Sequence, residues 1–184
     1  MVRVDVLPEL PGELLDEAWD FYRETFAPLV TRAATRHLMT RGEFESMMAD
    51  RRVRKFVTQD EEGLTGLSVM SADLDAVPLI SPPFFAHHWP ELYAERRIVY
   101  CVFIGARPGP RGDGVFVALQ SEIYARMIEP IRGVVVLDVC LWNERERDLP
   151  GAVESIVSAI AGGRARATRV DSQSYWLYEF SAAS

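Results

Sequence analysis

The chain has 184 residues, of which 48% are hydrophobic and 26% are charged, and its formal net charge is −7 at pH 7. This length and balance exclude a disordered chain and predict a single domain over residues 1–184. The negative charge argues against binding to nucleic acid. No apolar run approaches the roughly 20 residues of a membrane span, and the first residues lack a secretory signal pattern, so we expect a cytoplasmic protein that does not bind membranes.

The first half of the chain predicts a strand, two helices and a hairpin. Residues 2–6 alternate as in a strand, and apolar residues recur at helical spacing from Leu15 to Leu29. Thr40-Arg41-Gly42-Glu43 is a capping-box pattern that predicts the start of a second helix. Two strand-like runs, 55–59 and 64–71, flank the turn of a hairpin. A loop is then predicted from its prolines, which are Pro78, Pro82, Pro83 and Pro90.

The second half alternates strands with helices. A buried strand is predicted over 97–106, followed by a Gly- and Pro-rich loop over 107–114 and a helix with apolar residues from Phe116 to Met127. A second buried strand is predicted over 133–141. A helix from Leu149 to Ile160 that ends at Gly162-Gly163 and a last strand over 168–180 complete the chain. This order requires a right-handed crossover, so part of the sheet is expected to be parallel.

The segment from Ile104 to Val115 carries the strongest functional signal. A buried strand enters a glycine-rich loop and then a helix, whose first turn offers unpaired N–H groups and the positive end of the helix dipole. Arg111 adds a forked cation, so the segment suits a pyrophosphate. A Walker-type loop is excluded because Gly-Lys-Ser/Thr is absent, and the loop lies too late in the chain for a dinucleotide fingerprint.

The same segment resembles the coenzyme A loop of the GCN5-related N-acetyltransferase (GNAT) superfamily, which follows the fourth strand as Arg/Gln-x-x-Gly-x-Gly/Ala. Pro108, Arg111, Gly112 and Gly114 match that pattern, and Leu119 matches a common helix position. The resemblance implies a divergent member with an α/β fold, in which about four helices flank a mixed sheet of six to seven strands. It also implies transfer of an acetyl group from acetyl-CoA, or from another acyl-CoA, to an amine of a small molecule or peptide.

The resemblance further implies which residues contact the cofactor. They are Ile104, Gly105, Ala106, Arg111, Gly112, Asp113, Gly114, Val115 and Phe116, with Asn143 beside the cofactor arm. Two positions depart from the family pattern. Phe116 stands where Gly or Ala is usual, and Ser158 stands where many members have a tyrosine that acts as the general acid.

Candidate catalytic and substrate residues each have two interpretations. Asp138, within an otherwise apolar run, is either a hydrogen-bonded strand residue or the base that receives the proton of the amine. Tyr175 on the predicted last strand either packs there or replaces the missing acid. His87, His88 and Trp89 are either solvated or line the acceptor pocket.

Metal and partners are constrained less directly. Cys101 and Cys140 lie in separate apolar runs, which favours two buried, reduced thiols, and no close His/Cys spacing accompanies them, so we predict no metal site. The sequence does not decide whether the chain forms a homodimer.

The alternative function is a non-catalytic domain of the same fold that binds acyl-CoA or a protein, and a third is transfer of a longer acyl chain. The matching Pro/Arg/Gly/Gly residues favour the enzyme, whereas the departures favour the binding module.

Overall fold

A computed structural model gives the arrangement of residues 2–34, 38–112 and 114–179. Within these ranges five strands form one sheet in the order β1-β2-β3-β4-β5. The strands are β1 (Asp5–Leu7), β2 (Val53–Asp60), β3 (Gly63–Ser71), β4 (Ile98–Ala106) and β5 (Val134–Leu137). Strands β1 to β4 pair antiparallel, and β5 pairs parallel with β4. The predicted mixed sheet with a parallel crossover is therefore confirmed.

Seven α-helices accompany the sheet in the described ranges. They are α1 (Gly12–Phe26), α2 (Arg41–Ala49), α3 (Pro82–His88), α4 (Pro90–Ala94), α5 (Val115–Ile123), α6 (Leu141–Arg145) and α7 (Leu149–Ile160). A π-helical turn, Tyr124–Ile128, extends α5. The α/β class is confirmed, but the expected six to seven strands and about four helices are wrong in number for the described part of the chain.

The capping box predicted for α2 is present. The Thr40 side-chain oxygen accepts a hydrogen bond from the Glu43 backbone N–H at 3.4 Å, and the Glu43 carboxylate accepts one from the Thr40 N–H at 2.7 Å. Two orphan donors of the helix start are satisfied in this way. Phe44, Met47 and Met48 on the same helix are buried, as expected for core residues.

The sheet is covered on both faces. Helices α1 and α2 bury Phe21, Tyr22 and Phe44 against one face, where Phe103 of β4 joins them. Helix α5 covers the other face, and its buried residues, Val115, Leu119 and Ile123, recur every four positions. The sheet is thus the middle layer of a three-layer arrangement, with β3 at its centre and β4 between β3 and the edge strand β5.

Three sequence predictions about regular structure are wrong. The strand expected to be buried over 133–141 is only four residues long, Val134–Leu137, and is mostly exposed. The proline-rich segment is largely helical, because Pro82, Pro83 and Pro90 occupy the first positions of α3 and α4, where no intrahelical N–H bond is needed. The predicted last strand is absent from the described residues: 164–179 carry no helix or strand, and residue 180 lies outside the described ranges. Alternation alone did not form a strand, because the segment pairs with no neighbouring strand.

Lys55 is a buried charged residue on β2. Its side chain is fully buried, and its ammonium donates hydrogen bonds to the carbonyls of Pro8, Asp50 and Val53 at 2.6 to 2.8 Å. Burial lowers the pKa of Lys55 to about 8. The ammonium joins the ends of β1 and α2 to β2, since Pro8 follows β1, Asp50 follows α2 and Val53 begins β2.

No helix in the described ranges combines the length and the apolar character needed to cross a bilayer.

Candidate functional site

Strand β4 is paired along only part of its outer side. It runs over Ile98–Ala106, but its parallel pairing with β5 extends only from Ile98 to Cys101, opposite Val134 to Leu137. The peptide groups of β4 beyond Cys101 have no described strand on that side. We call this unpaired side of β4, beyond Cys101 and next to the end of β5, the slot.

A bulge in β4 lies where this slot begins. Against β3, Val69 pairs with Phe103 and Met70 pairs with Cys101, so Val102 is an extra residue. The bulge reverses the alternation of side chains. Cys101 packs under α5, whereas Phe103, two residues on, packs under α1 and α2. The bulge therefore changes which face of the sheet each side chain in the second half of β4 occupies.

The glycine-rich loop connects β4 to the start of α5. A Cβ on Gly112 would overlap the carbonyl of Arg107, so the loop closes only with glycine there. Gly114 is the N-cap residue of α5 with φ of 74°, and open space surrounds the position that a Cβ would occupy. Among the described residues no side-chain hydrogen bond caps α5, so its first-turn N–H groups have no described side-chain partner.

Residues around the loop differ from the sequence prediction in what their side chains do. The side chain of Val115, the first residue of α5, is buried against the sheet, and Gly105 is buried against Thr25 and Phe26. Phe116 is half-buried and lies outside the buried stripe of α5, which Val115 shares with residues 119 and 123. Ile104 and Ala106 are half-buried on the α5 face. The side chain of Val115 and the α-carbon of Gly105 therefore face the core at the loop.

Arg111 forms a forked ion pair with the hairpin that joins β2 to β3. Its Nε and an Nη donate to the two oxygens of Asp60 at 2.8 and 2.5 Å, and its other Nη lies 3.3 Å from a Glu62 oxygen. The Arg111 hydrogen bonds lower the pKa of the Asp60 carboxyl below its ordinary value. The predicted cation is at the loop, but two carboxylates already share it.

Asp138 follows β5 directly and lies at the end of the slot. One of its carboxylate oxygens accepts a 2.9 Å hydrogen bond from the hydroxyl of Tyr100 on β4. Burial, together with the neighbouring carboxylate, raises the pKa of Tyr100, so its hydroxyl keeps its proton. Asp138 is solvent-exposed, and the buried Tyr100 fixes its position. The sequence analysis missed Tyr100; only the β4–β5 register, which pairs Tyr100 with Val136, would have indicated it.

An aromatic cluster lies on the same side of the sheet as Tyr100. Phe85 of α3 contacts Tyr100 with ring centroids 6.5 Å apart, and Trp89 contacts Phe85 at 6.2 Å. His88 packs on Phe84 at 4.4 Å, and both His87 and His88 are exposed. The predicted acceptor residues His87, His88 and Trp89 are thus joined to Asp138 through Phe85 and Tyr100. The two histidines lie on α3 rather than in a loop, and Trp89 lies between α3 and α4.

Other predicted site residues are less closely placed. Tyr175 is 57% exposed in the extended segment after α7, so the expected strand does not hold it. Asn143 is half-buried on α6, one turn beyond Asp138. Asp113 lies outside the described residues. No cluster of three or more His, Cys, Asp or Glu side chains suited to a metal ion occurs in the described ranges.

Comparison with known proteins gives structural matches only. No family model matches the sequence, and neither does any curated protein. An aminoglycoside acetyltransferase, meta-AAC0020 from an uncultured soil metagenomic sample, solved with sisomicin, is 9% identical with a TM-score of 0.54, over 97% of each chain. A mutant BH1408 protein from Bacillus halodurans is 14% identical with a TM-score of 0.52, over 98% of this chain and 99% of that one. A ribosomal-protein-alanine N-acetyltransferase from Brucella melitensis biovar Abortus 2308 is 17% identical with a TM-score of 0.48, over 97% and 99%.

At these identities the likeness is one of fold. The first two matches extend over nearly the whole length of both chains, so the chain shares the fold of these two proteins, one of which is an acetyltransferase.

Proposed function

We propose that this chain is an acyl-CoA-dependent N-acetyltransferase that transfers an acetyl group from acetyl-CoA to an amine of a small molecule or peptide. The observation that carries the proposal is that the Val102 bulge coincides with the end of β4–β5 pairing. An unpaired strand edge is opened in this way beside an uncapped helix start. The fold shared with a solved aminoglycoside acetyltransferase supports the proposal.

The α5 start fits the pyrophosphate of a coenzyme A thioester. Its first-turn N–H groups are uncapped, and Gly114 leaves open space in front of them. Backbone donors and the helix dipole bind anions at such a position. Arg111 adds a cation when it shares its fork with the phosphates as well as with Asp60.

The slot fits the acyl end. Coenzyme A supplies a thioester whose carbonyl carbon the acceptor amine attacks. A backbone N–H on the unpaired side of β4 stabilises the oxyanion that forms, and Asp138 receives the proton that the amine nitrogen loses. The C–S bond then breaks, and the leaving thiolate takes a proton from an acid, for which Tyr175 is the candidate. Tyr100 keeps the Asp138 carboxylate in place through its hydrogen bond.

Two observations favour the second candidate, a domain that binds acyl-CoA or a protein without turnover. Arg111 is held by Asp60 and Glu62, and Tyr175 lies outside the sheet in an exposed segment. A loop whose cation is already paired binds anions more weakly. The two candidates differ in thiol release and share ligand binding, so binding and turnover are measured separately.

Binding is tested by calorimetry and thermal unfolding with acetyl-CoA, free coenzyme A and a longer acyl-CoA. Acetyl-CoA at 100 times its dissociation constant is expected to stabilise the native chain by about 2.7 kcal/mol. Arg111→Ala is expected to weaken binding, and Gly114→Val to abolish it. Gly163→Val is the matched control, because Gly163 has a similar φ of 80° and open surroundings after α7. No binding of any of the three ligands by the wild-type chain would refute the proposal.

Catalysis is tested by thiol release with a panel of amines. Asp138→Asn is expected to slow transfer by about 10²- to 10⁴-fold with unchanged coenzyme A affinity. Tyr175→Phe is expected to do the same if Tyr175 is the acid, and the double variant should lose less than the product of both. Tyr100→Phe keeps the ring but loses the hydrogen bond, so it should lower kcat and shift the pH profile. Binding without thiol release from any amine would favour the non-catalytic module.

A further inference from the structure

Two apolar features at the end of the molecule are exposed in the described chain. One is the outer edge of β5, which is the last strand of the sheet. The other is the extended segment 170–178 after α7, which we call the C-terminal segment. Both offer backbone groups for strand pairing, and both carry large apolar side chains into solvent. Such an edge is a template for another strand.

The β5 edge is apolar along its length. Val134, Val135 and Leu137 are 41, 43 and 36% exposed. Their side chains alternate between the two faces of the sheet, so both faces remain open at this edge. A strand that pairs beside β5 would cover both sets at once, whereas a helix would cover only one.

The C-terminal segment has the composition of such a strand. Tyr175, Trp176, Leu177 and Tyr178 are 57 to 84% exposed. The hydrogen bonds described for Ser172 and Trp176 reach residues only one and two positions away. Aromatic and branched residues in an extended run favour a sheet over solvent.

We propose that the C-terminal segment of one copy of this chain pairs antiparallel with β5 of a second copy, and that the exchange is reciprocal. Charge selects the direction. Basic Arg132 precedes β5 and acidic Asp138 follows it, whereas basic Arg169 precedes the segment and acidic Glu179 follows it. Antiparallel pairing that sets Glu179 beside Arg132 joins opposite charges at that end, whereas parallel pairing over the same apolar residues would set Glu179 beside Asp138, a like charge.

The antiparallel alignment also matches apolar residues. Placing Glu179 beside Arg132 sets Leu177, Trp176 and Tyr175 opposite Val134, Val135 and Val136 in turn. Three aromatic rings per segment bury about 150 to 250 Å² each, so two segments bury roughly 1,000 Å² before the facing strands are counted. A stable dimer needs about 1,200 to 2,000 Å² in total, which two exchanged strands supply.

Contacts of the residues just before the C-terminal segment favour pairing with a second copy over pairing with the segment's own β5. Arg164 donates to the carbonyl of Ala161 and to the hydroxyl of Tyr124, and Arg169 forms an ion pair with Glu144 on α6. The residues before the C-terminal segment are thus held against α5, α6 and α7. The segment does not pair with the β5 of its own chain. A two-fold arrangement satisfies both edges with the same contact used twice.

The oligomeric state of the full chain tests the proposal by light scattering and sedimentation between about 1 and 200 µM, the range in which interfaces of this size associate. We expect a dimer. Val135→Lys, which puts a charge on the edge, and Trp176→Ser, which removes the central ring, should each raise the dimer dissociation constant at least tenfold. Val117→Lys is the matched control, because Val117 is a 46% exposed valine on α5, and it should leave the dimer intact.

Mixing the two variants distinguishes exchange from other contacts. A Val135→Lys chain still has a segment, and a Trp176→Ser chain still has an edge, so the mixture should form heterodimers with one intact interface. A disulfide between Val135→Cys in one chain and Trp176→Cys in another, both carrying Cys140→Ser, should form between copies and fail with Val117→Cys. A monomer at 200 µM, a dimer insensitive to both variants, or a mixture that stays monomeric would each overturn the proposal.

Discussion

The chain up to Ile123 and the chain after Gly133 bury their apolar residues to very different extents. Every buried apolar residue of the described core lies between Leu10 and Ile123, except Ala161. Nine of the twelve large apolar residues that are exposed lie between Val134 and Tyr178. The first region therefore has a complete core of its own, whereas the second has an apolar composition without the burial that usually accompanies it. A partner that covers the second region, such as the second copy proposed above, would supply the missing burial.

Cysteine labelling gives the largest expected contrast between the regions. Cys101 is buried on β4, and burial raises the pKa of its thiol to about 12, whereas Cys140 is half-buried after β5. A thiol reagent should modify Cys140 in the native chain and reach Cys101 only through unfolding, at a rate at least about 10⁴-fold lower. Cys101→Ser and Cys140→Ser chains assign the two rates. Fast labelling of Cys101 would show that β4 opens locally and would erase the contrast.

Side-chain truncation gives the next largest contrast. Phe44 is fully buried between α2 and the rings of Tyr22 and Phe103, so Phe44→Ala should lower the free energy of unfolding by about 3 to 5 kcal/mol. Trp176→Ala, measured in urea at a concentration that keeps the chain monomeric, should change it by less than about 0.5 kcal/mol. Equal losses at both positions would show that the C-terminal segment belongs to the same core.

The pH dependence of Lys55 tests how completely the first region satisfies a buried charge. The unfolded lysine titrates near 10.5 and the folded one near 8, so between these values the unfolded chain holds more protons. Stability should therefore rise with pH across this window, by at most about 3 kcal/mol, and stay level below pH 8. Lys55→Met should lose that rise and should be destabilised at pH 7, since three carbonyls lose their donor. A rise of the same size in Lys55→Met would assign it to other groups.

The smallest expected effect concerns the loop between the regions. Asp60→Asn removes a carboxylate from the fork of Arg111, so coenzyme A should bind about 3- to 10-fold more tightly, as for an exposed pair worth about 1 kcal/mol. Glu122→Gln is the control, because it removes the same charge from an ion pair with Arg126 on α5. Weaker binding after Asp60→Asn would show that Asp60 positions Arg111 for the ligand instead of competing for it.

Elements set by local signals were predictable from the sequence. The capping box of α2, the hairpin, β4 and the end of α7 at Gly162-Gly163 each depend on a few adjacent residues, and all were confirmed. The prolines of α3 and α4 were read as helix breakers because a proline that begins a helix has the same local pattern. The strand over 168–180 failed for a different reason: a strand exists only with a partner, and alternation does not specify one.

The candidate site divides in the same way. The loop that follows β4 was found from its glycines and Arg111, since a turn and a helix start are local features. The Tyr100–Asp138 hydrogen bond spans 38 residues, and the pairing of Arg111 with Asp60 spans 51. Neither contact can be predicted from the sequence without knowing how the strands pair. Phe116 was placed in the helix stripe that Val115 occupies, because the start of α5 was not fixed to the residue.

The opposite edge of the sheet limits how many copies can join. Strand β1 is only three residues long, is followed by Pro8, and carries an ion pair between Arg3 and Asp5 beside its start. Short, charged edges with proline resist strand addition. With one receptive edge and one donor segment in each chain, a reciprocal pair leaves nothing unsatisfied for a third copy. An apolar edge of the kind that seeds filaments is thereby compatible with a finite, closed particle.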